Sequence, residues 1–181
     1  MSENVKSLGI TNFSASNPGD ADDCNFADYS LWTYNSESAD FLKSFGFDSF
    51  CVSPEINIAQ LRALKSPLMC EAVVYGKIPV MVTRNCFVKC AGSCGTCSLS
   101  DRKGKVFDMQ CRPEFSYSEV LNAVPLYMGD KTDDFKNTCV NMLRLIFTNE
   151  TPEQCAYILR SIREGREYRG EFTRGHYYRG V

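Results

Sequence analysis

Apolar and polar positions in the first half of the chain alternate in a way that predicts strands separated by short helices. Three runs carry the β-branched and aromatic bias of strands: ADYSLWTYN (27–35), FDSFCVS (47–53) and EAVVYGKIPVMVT (71–83). Between them, ESADFLKSF (37–45) and IAQLRALK (58–65) place apolar side chains at helical spacing. The pattern therefore predicts the order strand, helix, strand, helix, strand.

Signals at the helix ends support this division. Asn35 or Ser36 can cap the first helix and Asn57 the second, because these side chains accept hydrogen bonds from the N–H groups of a first turn. Gly46 is placed to end the first helix. The short connections favour parallel pairing through right-handed crossovers. We therefore predict an α/β fold over residues 26–84, preceded by a flexible lead-in over residues 1–25.

The second half has a less regular pattern. GKVFDMQC (104–111) predicts a short strand, SEVLNAVPLYM (118–128) an irregular apolar segment, and DDFKNTCVNML (133–143) a helix that leads into a strand at LRLIF (143–147). TPEQ, from Thr151, is a strong helix start, and that helix is predicted to run to about Ile162. Residues 85–181 are therefore predicted to form a cysteine-rich loop and a small α+β segment.

Composition narrows the class of protein. The chain has 181 residues, of which 44% are hydrophobic and 23% charged, as in an ordinary globular protein. A net charge of -2 argues against general binding of polyanions. The N-terminus lacks the apolar core of a signal peptide, and no segment approaches the length of a membrane span. We therefore expect a cytoplasmic protein with no membrane partner.

The 10 cysteines are unusual for a chain expected in a reducing compartment, where thiols serve as metal ligands, redox groups or small buried side chains. Cys51, Cys139 and Cys155 lie in apolar surroundings and are interpreted as small buried residues. The others include a group that is concentrated in one stretch. That group is the candidate site.

The concentrated group lies in RNCFVKCAGSCGTCSLSDRKG (84–104), with the spacing C-x3-C-x3-C-x2-C, and Cys111 follows. Glycines in the stretch allow a bent backbone that turns several thiolates toward one point. Such a set can hold an iron–sulfur cluster or a tetrahedral zinc ion, and reduced thiols without metal are the remaining alternative. Cys90 is expected to be the spare thiol because no glycine adjoins it. The favoured ligands are Cys86, Cys94, Cys97 and Cys111.

Nucleophilic catalysis by a cysteine is the main competing hypothesis. A cysteine nucleophile needs a base, and the single histidine of the chain is His176, near its end. This hypothesis therefore requires a dyad of Cys86 and His176. The sequence contains neither G-x-S-x-G nor H-E-x-x-H, which argues against a serine hydrolase or a zincin.

Several segments, taken in order, resemble the U32 peptidase family, the collagenase-like proteases. The likeness covers about residues 28–181 and corresponds to the later part of the family's catalytic region. It implies a partial (β/α) barrel of about three strand–helix units, because a complete barrel takes ~250 residues. The chain is then expected to be either a fragment or one that packs its open sheet edge against a second chain, which would complete the barrel as a partner. The segments are SPE (53–55), EAVVYGKIPVMVTRNC (71–86), DRKG (101–104), LNAVPLY (121–127) and FTRGHYYRGV (172–181).

The resemblance implies two kinds of activity. One is proteolysis, including that of collagen, and the other is oxygen-independent hydroxylation of RNA bases or of a quinone precursor with a 4Fe–4S cluster. Glu71, Gly76 and Cys86 match the family signature, whereas Pro79 replaces its first cysteine and Tyr127 stands where some relatives have another. We favour an iron–sulfur-dependent RNA hydroxylase. The alternatives are a peptidase acting on proteins and a non-catalytic subunit or binding module with a structural four-cysteine metal site.

Residues other than cysteines are also predicted to act at the site. Glu55 ends the SPE motif and is expected to face the barrel mouth as an acid, base or substrate-binding group; capping of the next helix is the alternative. His176 is the second candidate catalytic residue. Arg102 and Arg174 are candidates for binding substrate. For Arg102 the alternative is a turn with Asp101, and for the arginine-rich tail it is a solvated charged surface rather than an RNA contact.

Overall fold

A computed structural model describes residues 12–84, 97–112 and 116–180 of the chain. Within this part, a mainly parallel sheet and a smaller antiparallel sheet combine with short helices. The α/β class predicted from the sequence is therefore confirmed. Every helix in the described ranges is too short or too polar to cross a membrane.

The strands and helices are numbered in chain order. The strands are β1 (Ser14–Ala15), β2 (Phe26–Ala27), β3 (Ser49–Cys51), β4 (Met69–Gly76), β5 (Pro79–Thr83), β6 (Cys97–Ser100), β7 (Val106–Arg112), β8 (Tyr117–Leu121), β9 (Leu126–Tyr127) and β10 (Val140–Leu145). The α-helices are α1 (Ser36–Ser44), α2 (Ile58–Ala63) and α3 (Pro152–Arg163). Short 3-10 helices cover Pro18–Asp23, Tyr29–Leu31 and Gly129–Phe135.

The parallel sheet has the strand order β1–β2–β3–β4–β10, and β9 pairs antiparallel with the end of β4. In register, Cys70 of β4 lies opposite Phe50 of β3 on one side and Val140 of β10 on the other. The antiparallel sheet has the order β5–β8–β7–β6 and is inserted in the chain between β4 and β10. Among the described residues the parallel strands form an open sheet rather than a closed barrel.

Three of the four helix predictions are confirmed, because the signals for these three helices are local. Asn35, Asn57 and Thr151 each accept a hydrogen bond from the N–H group three residues later, and each helix start carries a reciprocal capping box. Gly46 follows the C-cap of α1 with a φ of 88°, as expected for a glycine that ends a helix.

Several strand predictions are wrong in detail. Residues 27–35 form the end of β2 and a 3-10 turn rather than one strand. Residues 71–83 form two strands in different sheets, because the chain turns at Gly76, which has a φ of 144°. Residues 118–128 contain β8 and β9 rather than irregular structure, and residues 133–143 contain the end of a 3-10 helix and the start of β10 rather than an α-helix. The lead-in contains β1 and a 3-10 helix.

The core joins the parallel sheet, the helices and the C-terminal tail. Phe50, Leu61 and Val74 are fully buried in it. Tyr177 of the tail is 1% exposed, and its hydroxyl donates a 2.8 Å hydrogen bond to the carbonyl of Val73. The tail is therefore packed on the sheet through Tyr177 and is part of the fold. A second cluster contains Tyr75, Tyr127 and Ile158.

Candidate functional site

A cavity of about 650 Å³ is lined by residues that follow β3 and β4 and by the C-terminal tail. Glu55 follows β3, strand β5 follows β4, and His176 belongs to the tail. α/β folds commonly build their sites at the carboxyl ends of their parallel strands. Both predicted catalytic residues line this cavity, although 121 positions of sequence separate Glu55 from His176.

Glu55 is held by its neighbours. The hydroxyl of Tyr34 donates a 2.8 Å hydrogen bond to Oε2 of Glu55, and the Glu55 backbone N–H donates to the buried Ser53 hydroxyl at 3.3 Å. Burial, together with the adjacent Glu55 carboxylate, raises the pKa of Tyr34, so that this hydroxyl stays protonated as a donor. The carboxylate is thus oriented at the cavity wall, and Oε1 has no hydrogen-bond partner among the residues that the structure describes.

His176 is fixed by a hydrogen bond within the tail. Its Nδ1 lies 3.0 Å from the carbonyl oxygen of Gly180. A carbonyl only accepts, so Nδ1 carries the proton, and Nε2 is the acceptor of the neutral ring. The left-handed backbone at Gly175, with a φ of 57°, turns the chain just before this residue.

Trp32 and Arg179 also line the cavity, and sequence reasoning did not single them out as site residues. Trp32 is 55% exposed and has a left-handed backbone with a φ of 56°. Its ring stacks on Tyr34 at a centroid distance of 6.2 Å. An exposed tryptophan on a turn presents a flat aromatic surface, and Arg179 adds a positive charge nearby. The signal that was available is that Trp32 is the single tryptophan of the chain.

Arg174 lies beside the cavity, but its guanidinium is engaged by the protein. It forms an ion pair with both oxygens of Asp130, donates to the Tyr127 carbonyl at 3.0 Å and lies 4.6 Å from the centre of the Phe172 ring. The hydrogen bond from Arg174 lowers the pKa of Asp130. These contacts give Arg174 a role in holding the tail, and its predicted contact with substrate stays a prediction.

Arg102 lies in the exposed turn between β6 and β7. The turn is built by Asp101, whose Oδ1 accepts from the N–H groups of Lys103 at 2.7 Å and Lys105 at 2.9 Å. Arg102 does not line the cavity of Glu55 and His176. The structure therefore separates it from the predicted catalytic pair, and its binding role also stays a prediction.

The predicted metal ligands are only partly described. Cys86 and Cys94, together with Cys90, lie outside the described residues. Cys97 is in β6 opposite Met109 of β7, and Cys111 is two residues beyond Met109 on the same strand. Side chains opposite each other, and side chains two residues apart on one strand, share a face of a sheet. Cys97 and Cys111 therefore share a face, with Cα atoms about 7–8 Å apart by this diagonal relationship.

The described part of the chain contains no group of three or more His, Cys, Asp or Glu side chains arranged to hold a metal. Two of the four favoured ligands fall outside that part, so the ligand set is a prediction. The positions of Cys97 and Cys111 are compatible with the predicted ligand set, because the two residues share a face of the sheet and lie on adjacent strands. Thiolates are also the ligands that iron–sulfur clusters and structural zinc require.

An ion-pair network lies at the parallel sheet and contains Glu71, which the family resemblance had marked. Arg144 of β10 donates from Nε to Oε2 of Glu71 at 2.6 Å and pairs with Asp28 after β2. Its guanidinium also lies 4.6 Å from the centre of the Phe26 ring. The three charged side chains are only 18–22% exposed. Arg144 thereby balances the negative charge of Glu71, and the network links β2, β4 and β10.

Comparison with protein-family models shows the family to which this chain belongs. The model of Peptidase family U32 matches residues 27–163, well over half of the chain. The chain belongs to peptidase family U32. Comparisons with curated proteins and with solved structures give no match. The U32 match contains Glu55, Arg102 and all the favoured cysteine ligands, whereas Arg174 and His176 lie beyond its end.

Proposed function

We propose that this U32 chain holds a 4Fe–4S cluster on Cys86, Cys94, Cys97 and Cys111 and supports oxygen-independent hydroxylation of an RNA base in the cavity of Glu55 and His176. The observation that carries the proposal is the placement of Cys97 and Cys111 on one face of adjacent strands in the sheet that also supplies β5 to the cavity wall. When bound, such a cluster would carry the two electrons that hydroxylation of the base by water releases to an acceptor supplied by the cell. Zinc on the same thiolates is the alternative occupant.

The cavity suits a single nucleobase. Its volume of about 650 Å³ lies within the usual range for small-ligand sites. Trp32 offers the flat aromatic surface on which proteins stack unpaired RNA bases, and Arg179 offers a cation for the adjacent phosphate. Both contacts are independent of base identity. Selection among bases would therefore fall to the polar groups of the cavity.

Glu55 and His176 are two of those polar groups. Oε2 of Glu55 is occupied by Tyr34, so the carboxylate presents Oε1 to the base edge as an acceptor or proton carrier. The Gly180 carbonyl holds the proton of His176 on Nδ1, so Nε2 can accept a second proton from the substrate. The two side chains can therefore bind the base edge and exchange protons with it.

The test is mass spectrometry of nucleosides from RNA of a bacterial host that expresses the chain without oxygen. We expect a nucleoside that has gained one oxygen atom, and we expect it to disappear with Glu55→Gln or Trp32→Ala. Glu37→Gln, at an exposed glutamate of α1, is the matched control and should leave the yield unchanged. Unmodified RNA, or equal yields from Glu55→Gln and Glu37→Gln, would contradict the proposal.

A peptidase is the second candidate, and strand β5 favours it. β5 is an edge strand of the antiparallel sheet among the described residues and lines the cavity. Its Val80, Met81 and Val82 side chains are 51–64% exposed. An exposed edge strand can pair with an extended peptide. Proteolysis that survives chelation but is lost with Cys86→Ser and with His176→Ala would favour this candidate over the hydroxylase.

The open parallel sheet supports a further part of the proposal, namely that this chain supplies part of a (β/α) barrel. β1 and β10 are the outer strands of the sheet in the described ranges. Outer strands expose unpaired backbone groups, which a second chain can cover. A second chain that completes the barrel is thus the proposed protein partner. If that partner carries the activity, this chain would be a non-catalytic subunit with a structural metal.

A further inference from the structure

Cys70 and Cys139 place their sulfur atoms 3.4 Å apart, although 69 positions of sequence separate them. Cys70 lies opposite Val140 in the pairing of β4 with β10, and Cys139 immediately precedes Val140. The spacing of strands and the rise per residue put the two Cα atoms about 5–6 Å apart. Disulfide-bonded residues have that separation. Side-chain rotation alone can therefore bring the sulfur atoms to bonding distance.

The two thiols differ in their surroundings. Cys70 is fully buried, whereas Cys139 is partly exposed. The sulfur–sulfur contact with Cys70 and the nearby charge of Lys65 lower the pKa of Cys139, and the same contact together with burial raises the pKa of Cys70. Cys139 is therefore both the more accessible thiol and the one that loses its proton more readily. An accessible thiolate beside a buried thiol is the arrangement of an attacking and a resolving cysteine.

We propose that Cys70 and Cys139 form a modification site that hydroperoxides oxidise to a disulfide. The Cys139 thiolate attacks the O–O bond, takes one oxygen as a sulfenic acid, and releases the other oxygen, which gains a proton, as water or an alcohol. The Cys70 sulfur then attacks the sulfenic sulfur, the S–S bond forms, and the S–O bond breaks with loss of water that carries the Cys70 proton. Two electrons pass from the thiols to the hydroperoxide.

The bond would join the amino ends of β4 and β10, and the segment between them contains the whole antiparallel sheet. The cavity of Glu55 and His176 is lined by residues that follow the strands at their other ends. Oxidation would thus restrain the inserted sheet without using any residue of the proposed site. The proposal stands independently of the proposed function.

The test is peptide mapping of the purified native chain after treatment with hydrogen peroxide. Remaining thiols are alkylated, and the protein is digested with trypsin without reduction. Trypsin leaves Cys70 in SPLMCEAVVYGK (66–77) and Cys139 in NTCVNMLR (137–144), each as the single cysteine of its peptide. We expect the two peptides to appear joined, with the loss of two hydrogens, and to separate on reduction. Recovery of both as alkylated single peptides, while other cysteines are oxidised, would overturn the proposal.

Variants assign the order of the two steps. Cys70→Ser should leave Cys139 as a sulfenic acid that dimedone labels on NTCVNMLR, whereas Cys139→Ser should lose the joined peptide and leave Cys70 unoxidised. Cys155→Ser, at a partly exposed cysteine of α3, is the matched control and should give the joined peptide in unchanged yield. A Cys70→Ser protein without label at Cys139, or loss of the joined peptide in Cys155→Ser, would contradict the assignment.

Discussion

Nη2 of Arg174 lies 2.8 Å from Oδ2 of Asp130, and its Nη1 contacts the other oxygen of the same carboxylate. The pair links the C-terminal tail to the 3-10 helix after β9. Its side chains are only 24% and 13% exposed. The tail carries His176 and lines the cavity, so the geometry of the proposed site depends on this ion pair.

Replacing Arg174 with alanine should destabilise the fold. The change removes charge-assisted hydrogen bonds and leaves Asp130 without its cation, which costs about 2–3 kcal/mol in the free energy of unfolding. The matched control is Arg166→Ala, whose partner Glu164 is exposed and whose own side chain is 58% exposed, so its cost should stay below ~0.5 kcal/mol. Urea unfolding measures both. Equal costs would show that the pair with Asp130 does not hold the tail.

Acid should weaken the same link. Arg174 lowers the folded-state pKa of Asp130, so the stabilisation is complete above the unfolded pKa of about 4 and is lost as the pH falls through the folded value. We expect the difference in melting temperature between the wild type and Asp130→Asn to be constant above about pH 5 and to narrow below about pH 4. A difference that stays constant down to pH 3 would contradict this assignment.

Gly76 is predicted to tolerate no side chain. It has a φ of 144°, and a Cβ there would lie 2.7 Å from the carbonyl oxygen of Ile146, a backbone atom that cannot move aside. Gly76→Ala should therefore cost about 3 kcal/mol or more. Gly165→Ala is the control, since Gly165 also has a positive φ, of 63°, but a Cβ there meets nothing within 4 Å. It should cost about 1 kcal/mol. Thermal unfolding measures both variants. If the two substitutions lower the melting temperature equally, the role of the close contact is refuted.

Arg144→Ala should lower the free energy of unfolding, because it leaves two carboxylates in the sheet without a cation. Glu71 and Asp28, which are 18% and 19% exposed in the native chain, would lose their shared cation, at a cost of about 3 kcal/mol or more. Adding Glu71→Gln to this variant should restore part of the loss, because it removes one uncompensated carboxylate. Urea unfolding of the single and double variants measures the coupling. A double variant less stable than Arg144→Ala would contradict the electrostatic explanation.

Local signals predicted three helices correctly, but they predicted the second sheet poorly. Capping residues such as Asn57 and Thr151 act within one turn, so sequence spacing was enough to place α2 and α3. The run over residues 71–83 resembled one strand because its apolar pattern continues through Gly76. The break there depends on the approach of Ile146, which comes from a distant part of the chain.

The site shows the same division between local and distant information. The sequence marked Glu55 and His176 separately, but their common cavity depends on the burial of Tyr177, which draws the tail onto the sheet. Cys139 was interpreted as a small buried residue, since its flanking residues are apolar. Its contact with Cys70 arises from the pairing of β4 with β10, and no local spacing signals it.

Iron and sulfide analysis of the anaerobically purified chain tests the central claim most directly. We predict a brown protein that carries iron and acid-labile sulfide, four of each per chain. Cys97→Ser and Cys111→Ser should lose both, whereas Cys90→Ser, at the spare thiol, and Cys155→Ser should keep them. A colourless protein with stoichiometric zinc, or equal iron in all four variants, would contradict the cluster.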